Sequence, residues 1–543
     1  DKLPVMGRVW EPETVAKNAS TSLYGNIISI DESPKKEGLI YVGTDDGLIQ
    51  ITENSGETWT KYSSFPGIPA NTYNSDVLAS LHNENVVYTT FDNHKNGDFK
   101  PYVLKSSDKG KTWVSISSNL PENGAAYTIV EDHINPNLLF LGTEYGLYTS
   151  IDGGAKWLRL KTGLPTIPIK DIDVQRREND LALATFGRGF YILDDYTPLR
   201  TITEEITAKE AHIFPIKDAL LYREDESFGR RSMGENFFRS ENLPMGAVFT
   251  YYIKDTYQTR KDIRKKAEKD EKEKYANSPY PTFEELRAED NEPASYLIFE
   301  ITDAQKNVVR RLTSGVSKGI NRINWDCRYP DTSPINKGTN TNKNSGIIIL
   351  PGDYFVSIYK VVDGVTTQVV EPTKFVCKSL NNSTLPAKDP IASLSFQQNT
   401  MELNRKFQAA NLYLSDLKSR NELIQKSYLN SAANNVNILN KTYEINKLIE
   451  NINIKFNGNS TIGRLSANQT PCVRDRIDHA LYSFIESFSD ATETAKTTIN
   501  VAKEIFESAT TELETVNSQI NDLVKELDKA KAPAIPGLTP NMK

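Results

Sequence analysis

Five carboxylates carry the reactive potential of the first third of this 543-residue chain: Asp45, Asp46, Asp98, Asp132 and Glu144. Two such groups hydrolyse a glycosidic bond when one donates a proton and the other acts as nucleophile or base. The required separation is about 5–5.5 Å for retention and about 6.5–9.5 Å for inversion. Asp45, Asp46, Asp132 and Glu144 are the candidates for that role. They stand on loops or strand ends, where Asp and Glu beside Gly also serve simply as turn formers. Asp98, His94 and Arg188 are candidate ligand-binding residues. The loop Asp92-Asn-His-Lys-Asn-Gly-Asp98 offers carboxylates and carbonyls to a cation such as Ca²⁺. Its spacing departs from Asp-x-Asp-x-Asp-Gly, a solvated turn is the plainer reading, and no cofactor is expected. The five histidines (82, 94, 133, 212 and 479) lack metal-ligand spacing, and Cys-x-x-Cys and His-Glu-x-x-His are absent from the sequence.

The elements that must position these groups repeat. Ser150-x-Asp152-x-Gly154-x-x-Trp157 is a turn in which Ser and Asp bond backbone, glycine admits positive φ, and Trp folds back as an apolar plug. Ser106, Asp108, Gly110 and Trp113 form a second copy; Thr52, Asn54, Gly56 and Trp59 form a softened third. The preceding strand repeats too, as Tyr41-Val-Gly-Thr-Asp-Asp-Gly-Leu-Ile, Phe140-Leu-Gly-Thr-Glu-Tyr-Gly-Leu-Tyr and Leu183-Ala-Thr-Phe-Gly-Arg-Gly-Phe-Tyr. A period of roughly 45–55 residues holding several short strands predicts propeller blades over residues 1–200. Three and a half to four blades are too few for a large ring, so the ring is expected to be open or completed by another chain. The three tryptophans should be equivalent under a rotation.

The Ser/Thr-x-Asp-x-Gly-x-x-Trp turn resembles the Asp-box of BNR-repeat propellers. The fuller string of repeats is similar to the sortilin (VPS10-type) propeller proteins of Bacteroidota-like bacteria, often labelled glycosyl hydrolases. Sialidases, xyloglucanases, sortilins and photosystem assembly factors share this box, so the resemblance implies fold more than function. It implies an extracytoplasmic protein of a Gram-negative bacterium, in the periplasm, at the outer membrane or secreted. Because the chain starts at Asp1 inside a repeat array, it reads as the C-terminal portion of a longer protein, with a missing N-terminal propeller half as one partner.

Residues 201–245 read as a traverse with short strands. A β-sandwich is predicted over 246–380, with a charged helical insertion at 258–292. Trp325 reads as its core anchor and Pro351-Gly352 as a turn. The run through Gly319-Ile-Asn-Arg-Ile-Asn-Trp325-Asp326 and Leu350-Pro-Gly-Asp-Tyr-Phe resembles the Ig-like module of flagellar hook-cap proteins. Cys327 and Cys377 are read either as buried thiols or as a disulfide.

Residues 393–530 turn helical, with 531–543 a loose tail. Leu403, Phe407, Leu414, Leu417 and Ile424 keep a 4-3 spacing with Asn421 in the gap, and Ile438, Ile445, Ile449 and Ile452 suggest a second helix. Ile499, Ala502, Phe506, Ala509, Leu513, Val516, Ile520, Leu523 and Leu527 form a coiled-coil seam. The seam predicts one helix of about 70 Å from Leu481 to Leu527, antiparallel to the helix of Phe407. The fold class is therefore mainly β with an α-helical C-terminal region: partial β-propeller, Ig-like sandwich, and antiparallel helical hairpin or bundle.

A net charge of −7 argues against a nucleic-acid surface. No apolar run approaches the ~20 residues of a membrane span. The expected function is an exported interaction protein whose propeller binds a peptide, protein or glycan partner in an envelope or secreted assembly. The alternative is a glycoside hydrolase with two carboxylates on the propeller face.

Overall fold

The computed structural model describes residues 25–161, 163–222, 242–273, 280–340, 345–484 and 487–537, with 9, 11, 13, 240 and 342. Residues 274–279 of the expected helical insertion, 485–486 of the expected long helix and 538–543 of the tail lie outside the described residues. The chain divides into two compact units, residues 1–206 and 207–543.

A repeated four-strand plan builds the first unit. Strands β1 (Ile27–Glu32), β2 (Ile40–Thr44), β3 (Ile49–Thr52) and β4 (Thr60–Tyr62) pair antiparallel in chain order. The plan recurs in β5 (Tyr73–Ala79), β6 (Val87–Asp92), β7 (Tyr102–Ser106) and β8 (Val114–Ser115). It recurs again in β9 (Ala126–Glu131), β10 (Leu139–Thr143), β11 (Gly146–Ser150) and β12 (Leu158–Leu160). Among the described residues the fourth sheet has three strands, β13 (Ile169–Gln175), β14 (Asp180–Thr185) and β15 (Phe190–Leu193). First strands pack against first strands, β1 on β5, β5 on β9 and β9 on β13. That is how propeller blades stack about an axis.

Each joint between blades has its own apolar core. Leu39, Tyr41, Ile49 and Ile51 of the first blade meet Val77, Val87, Leu104 and Trp113 of the second. Tyr88 and Val103 meet Ile129, Leu141 and Trp157 at the next joint; Phe140 and Leu147 meet Ile172, Leu181 and Leu183 at the third. Carboxylates on the first strands add clips. Asp31 accepts the Ala79 N–H at 2.7 Å, and Asp76 accepts the Ile129 N–H and the Thr128 hydroxyl, both at 2.9 Å.

The three turn boxes share one hydrogen-bond scheme. The Ser106 hydroxyl donates to Asp108 and accepts the Gly110 N–H, both at 2.8 Å; Ser150, Asp152 and Gly154 repeat this at 2.7 and 2.8 Å. Thr52, Asn54 and Gly56 do the same at 2.9 Å for both bonds. The tryptophans diverge in burial. Trp113 and Trp157 plug the joint with the preceding blade, whereas Trp59 is 45% exposed.

In the second unit two sheets enclose one core. Strands β16 (Ala211–Ile213), β18 (Ala247–Ile253) and β21 (Gly319–Trp325) form one sheet. The other is ordered β17-β23-β22-β19-β20, comprising β17 (Ala219–Leu221), β23 (Val365–Ser379), β22 (Gly352–Val362), β19 (Tyr296–Asp303) and β20 (Val308–Gly315). Alternating residues from both meet in the middle: Phe249 on Phe375 at 5.2 Å and Tyr251 on Phe299 at 4.9 Å between ring centroids. Trp325 is fully buried beside Tyr354. The charged insertion forms two helices, Arg260–Glu273 and Phe283–Asn291. Arg264 pairs with Glu268 one turn on and with Glu289 of the second helix, each at 2.6 Å. Thr282 and Glu285 cap that second helix reciprocally.

Cys327 and Cys377 are free and buried, their sulfurs 3.9 Å apart. The hydrogen bond between them and burial push the Cys327 thiol well up. Neither thiol should react with a maleimide until the unit unfolds; rapid labelling of the native protein would contradict this packing.

The C-terminal helices longer than one or two turns are α1 (Pro390–Leu429), α2 (Asn437–Asn457), α3 (Val473–Phe484) and α4 (Glu493–Lys529). All nine residues of the sequence-derived seam are buried in α4. Two expectations are corrected. The stretch from Leu481 to Leu527 is broken: α3 ends at Phe484, and α4 starts afresh where the Thr492 hydroxyl caps the Ala495 N–H at 3.2 Å. And α4 runs parallel to the helix of Phe407. Ser393 near the start of α1 donates to Ser489 O, and Ser427 near its end donates to Pro533 O. The antiparallel partner of both is α2, since Lys455 bonds Glu512 at 2.5 Å and Asn435 bonds Glu526. Helix α3 continues that column, with Arg474 on Asn457 and Phe484 on Phe396. An apolar stripe carries no sense of direction, so the seam left direction open. The buried Asn421 donates to Thr442 O and Asn446, both at 2.8 Å, fixing the α1–α2 register.

Candidate functional site

The first-unit pocket is built from the starts of the first strands and the tips of the hairpins that follow. Tyr73 and Ser75 open β5, Tyr127 opens β9, and Lys170 opens β13. Because β5 and β6 are antiparallel, Tyr73 pairs with Asp92, which carries the 92–98 loop to the same end. These residues, with His94 and Lys95, line a cavity of about 290 Å³.

Its chemistry is mixed. Asp92 accepts the His94 N–H at 3.0 Å and contacts the imidazole Nδ1 at 2.5 Å. Lys170 lays its ammonium 3.2 Å from the centroid of Tyr127, and Lys95 lies 5.5 Å over Tyr73. Neither lysine forms a salt bridge among the described residues. Desolvation lowers the Lys170 pKa, outweighing the pull of Glu144 and Asp92. Glu144 accepts the Tyr127 hydroxyl, whose own pKa is pushed up by burial and by that carboxylate.

The sequence candidates separate into two groups. Asp45, Asp46, Glu144, Asp98, His94 and Arg188 all lie on the hairpins between second and third strands, hence at the pocket's end of their blades. Asp45 is buried and accepts both the backbone and side-chain N–H groups of Asn26, at 2.9 and 3.0 Å; Asp46 accepts the Thr44 hydroxyl at 2.5 Å. Asp98 faces its own loop, accepting Tyr102 at 2.6 Å and Asn93 at 2.9 Å; these bonds outweigh burial and lower its pKa. Arg188 is exposed on its turn. Asp132 is the exception. It follows β9, at the opposite end of the blade, and Arg200 grips it through Nε at 2.8 Å and the terminal nitrogen at 2.6 Å. Tyr196 and the N–H groups of Ile134 and Asn135 fill its remaining acceptor sites. That carboxylate is fully engaged in holding structure.

Sequence reasoning missed Tyr73, Ser75, Tyr127, Lys170 and the buried Asp76. Aligning the second strands drew attention to hairpin tips, while the pocket wall comes from the poorly matching first strands. Burial raises Asp76 to about 7, against its bonds to Ile129 and Thr128. The folded chain then keeps a proton that the unfolded chain loses near pH 4, so stability falls as pH rises from about 4 to 7. Asp76→Asn should gain on the order of a few kcal/mol at pH 8 relative to wild type and little at pH 4. Denaturant melts at both pH values check this.

No family model matches the chain, and no curated protein matches it. Similar solved structures include YCF48 bound to D1 peptide (13% identity, 32% of this chain and 57% of that one, TM-score 0.23). Others are the GH74 xyloglucanase of Xanthomonas campestris (11%, 63% and 45%, 0.26) and the β-propeller domain of Cps50 (Swd1) from Myceliophteria thermophila (12%, 33% and 56%, 0.26). The chain thus spans less than two thirds of each of these three structures.

Proposed function

We propose that residues 25–206 are the ligand-holding part of an exported interaction protein, whose partner is a peptide, protein or glycan in an envelope or secreted assembly of a Gram-negative bacterium. The observation that supports this reading is the pair of lysines in one pocket, each ammonium laid on a tyrosine ring and without a salt bridge among the described residues. Such cations attract an acidic group on a partner, and the Asp92–His94 pair beside them offers a directional contact. Peptide and glycan arrays probed with wild type and Lys95→Ala/Lys170→Ala test it. Affinity for any bound probe should fall about tenfold, equivalent to one lost contact of about 1.4 kcal/mol. Unchanged binding would remove the pocket from the account.

A hydrolase reading has one observation in its favour: Asp45, Asp46, Asp92 and Glu144 share one end of the blades. Release of reducing ends from a polysaccharide, abolished by Glu144→Gln or Asp46→Asn, would establish it.

A further inference from the structure

The flanks of the first and last blades are exposed where their counterparts are buried. By register, Ile30 opposite Val42 corresponds to Val77 opposite Thr89, Ile129 opposite Leu141 and Ile172 opposite Leu183. Val77, Ile129 and Ile172 are 3%, 0% and 4% exposed, and Ile30 is 64% exposed. Trp59 repeats the contrast on the same flank. At the other flank, Phe190 opposite Ala184 corresponds to Ile49, Val103 and Leu147, which stand opposite Gly43, Thr90 and Gly142. Ile49, Val103 and Leu147 are all 0% exposed, whereas Phe190 is 80% and Ile192 57% exposed.

One flank therefore presents the face that a blade offers to its predecessor, and the other presents the face offered to its successor. The three internal joints show how such faces fit: the first-strand apolar residue enters the apolar second and third strands of the blade before, joined at the first two joints by a Trp plug. We infer that a second copy of this chain docks head to tail, Ile30 and Trp59 of one copy against Phe190 and Ile192 of the other. The chain carries both halves of the joint, so it needs no foreign partner. Each flank is a solvent-exposed apolar surface of the kind soluble proteins cover. The contact is heterologous and grows unless it closes; two copies bring eight blades, within the range of known rings of about four to eight, so closure at two is expected.

Light scattering should give twice the 61.0 kDa chain mass for wild type. Trp59→Asp and Phe190→Asp should each be monomeric at low micromolar concentration, because every head-to-tail joint of either variant contains the substituted residue. An equimolar mixture should return to the dimer mass, since one intact flank comes from each. Ile30→Asp and Ile192→Asp substitute for either variant if circular dichroism shows that it misfolds. A monomeric wild type overturns the inference, as it would if the neighbouring blades belong to the same polypeptide. A dimer that survives both single variants, or a mixture without rescue, overturns it equally, because those results describe a different contact.

Discussion

Replacing both Leu513 and Ile520 with aspartate is expected to unfold the helical bundle and leave the first unit folded. Both side chains lie in the seam of α4, Leu513 5% and Ile520 0% exposed, where α4 packs on α1 and α2. Each substitution removes a buried aliphatic group, at about 2–5 kcal/mol, and adds a carboxylate with no cation provided for it. Two such losses reach the about 5–15 kcal/mol that a whole domain has to spare. The bundle shares a compact unit with the sandwich: Tyr329 packs on both cores, and Phe488 from the α3–α4 connection packs on that of the sandwich. The sandwich is therefore expected to lose stability as well. Far-UV circular dichroism should show most helical signal gone, while the thermal transition of residues 1–206 stays at its wild-type temperature. Retained helicity would show that the seam is not the bundle's core, and a single collapse including the first unit would contradict the division near residue 206.

Asp132→Ala is expected to be the most damaging single substitution in the first unit outside its apolar joints. The carboxylate is fully buried, and removing it strands Arg200, the Tyr196 hydroxyl and two backbone N–H groups together. Breaking a buried pair from one side costs about 3–5 kcal/mol. Burial works to raise the Asp132 pKa, but bonds from Arg200, Tyr196 and Asn135 prevail and lower it. With the folded value depressed, its contribution is present above the unfolded pKa near 4 and fades as pH falls through the folded value. Denaturant melts of Asp132→Ala, Arg200→Ala and the double variant check this. The double variant should lose clearly less than the sum of the singles. Additive losses would mean that the two side chains do not act as a pair.

The blade plan was legible because turn chemistry is local. Ser106-x-Asp108-x-Gly110 names its own hydrogen bonds, and the glycines at 110 and 154 have φ of +82° and +96°. A Cβ at Gly154 would also lie 2.8 Å from Ile116 Cδ1 of the preceding blade. The bundle's buried stripe was legible from spacing, since Ala502, Ala509 and Val516 recur every seven residues. Helix direction was not, because it depends on how connections fold back. The pocket was least legible. Two tyrosines and a lysine, Tyr73, Tyr127 and Lys170, stand more than forty residues apart, and only radial stacking brings them together. Asp132 misled because a carboxylate at a strand end looks the same whether it faces a ligand or an arginine 68 residues away.

The central claim is that residues 25–206 are consecutive blades whose terminal flanks meet no further blade among the described residues. Hydroxyl-radical footprinting read by mass spectrometry tests it most directly, because it reports each side chain separately in one sample. In the Phe190→Asp variant, kept dilute so that no second copy docks, Trp59, Ile30 and Ile192 should be modified several-fold faster than Trp113, Trp157 and Ile129. Comparable modification of all three tryptophans, or protection of Trp59 matching that of Trp113 and Trp157, would contradict the account.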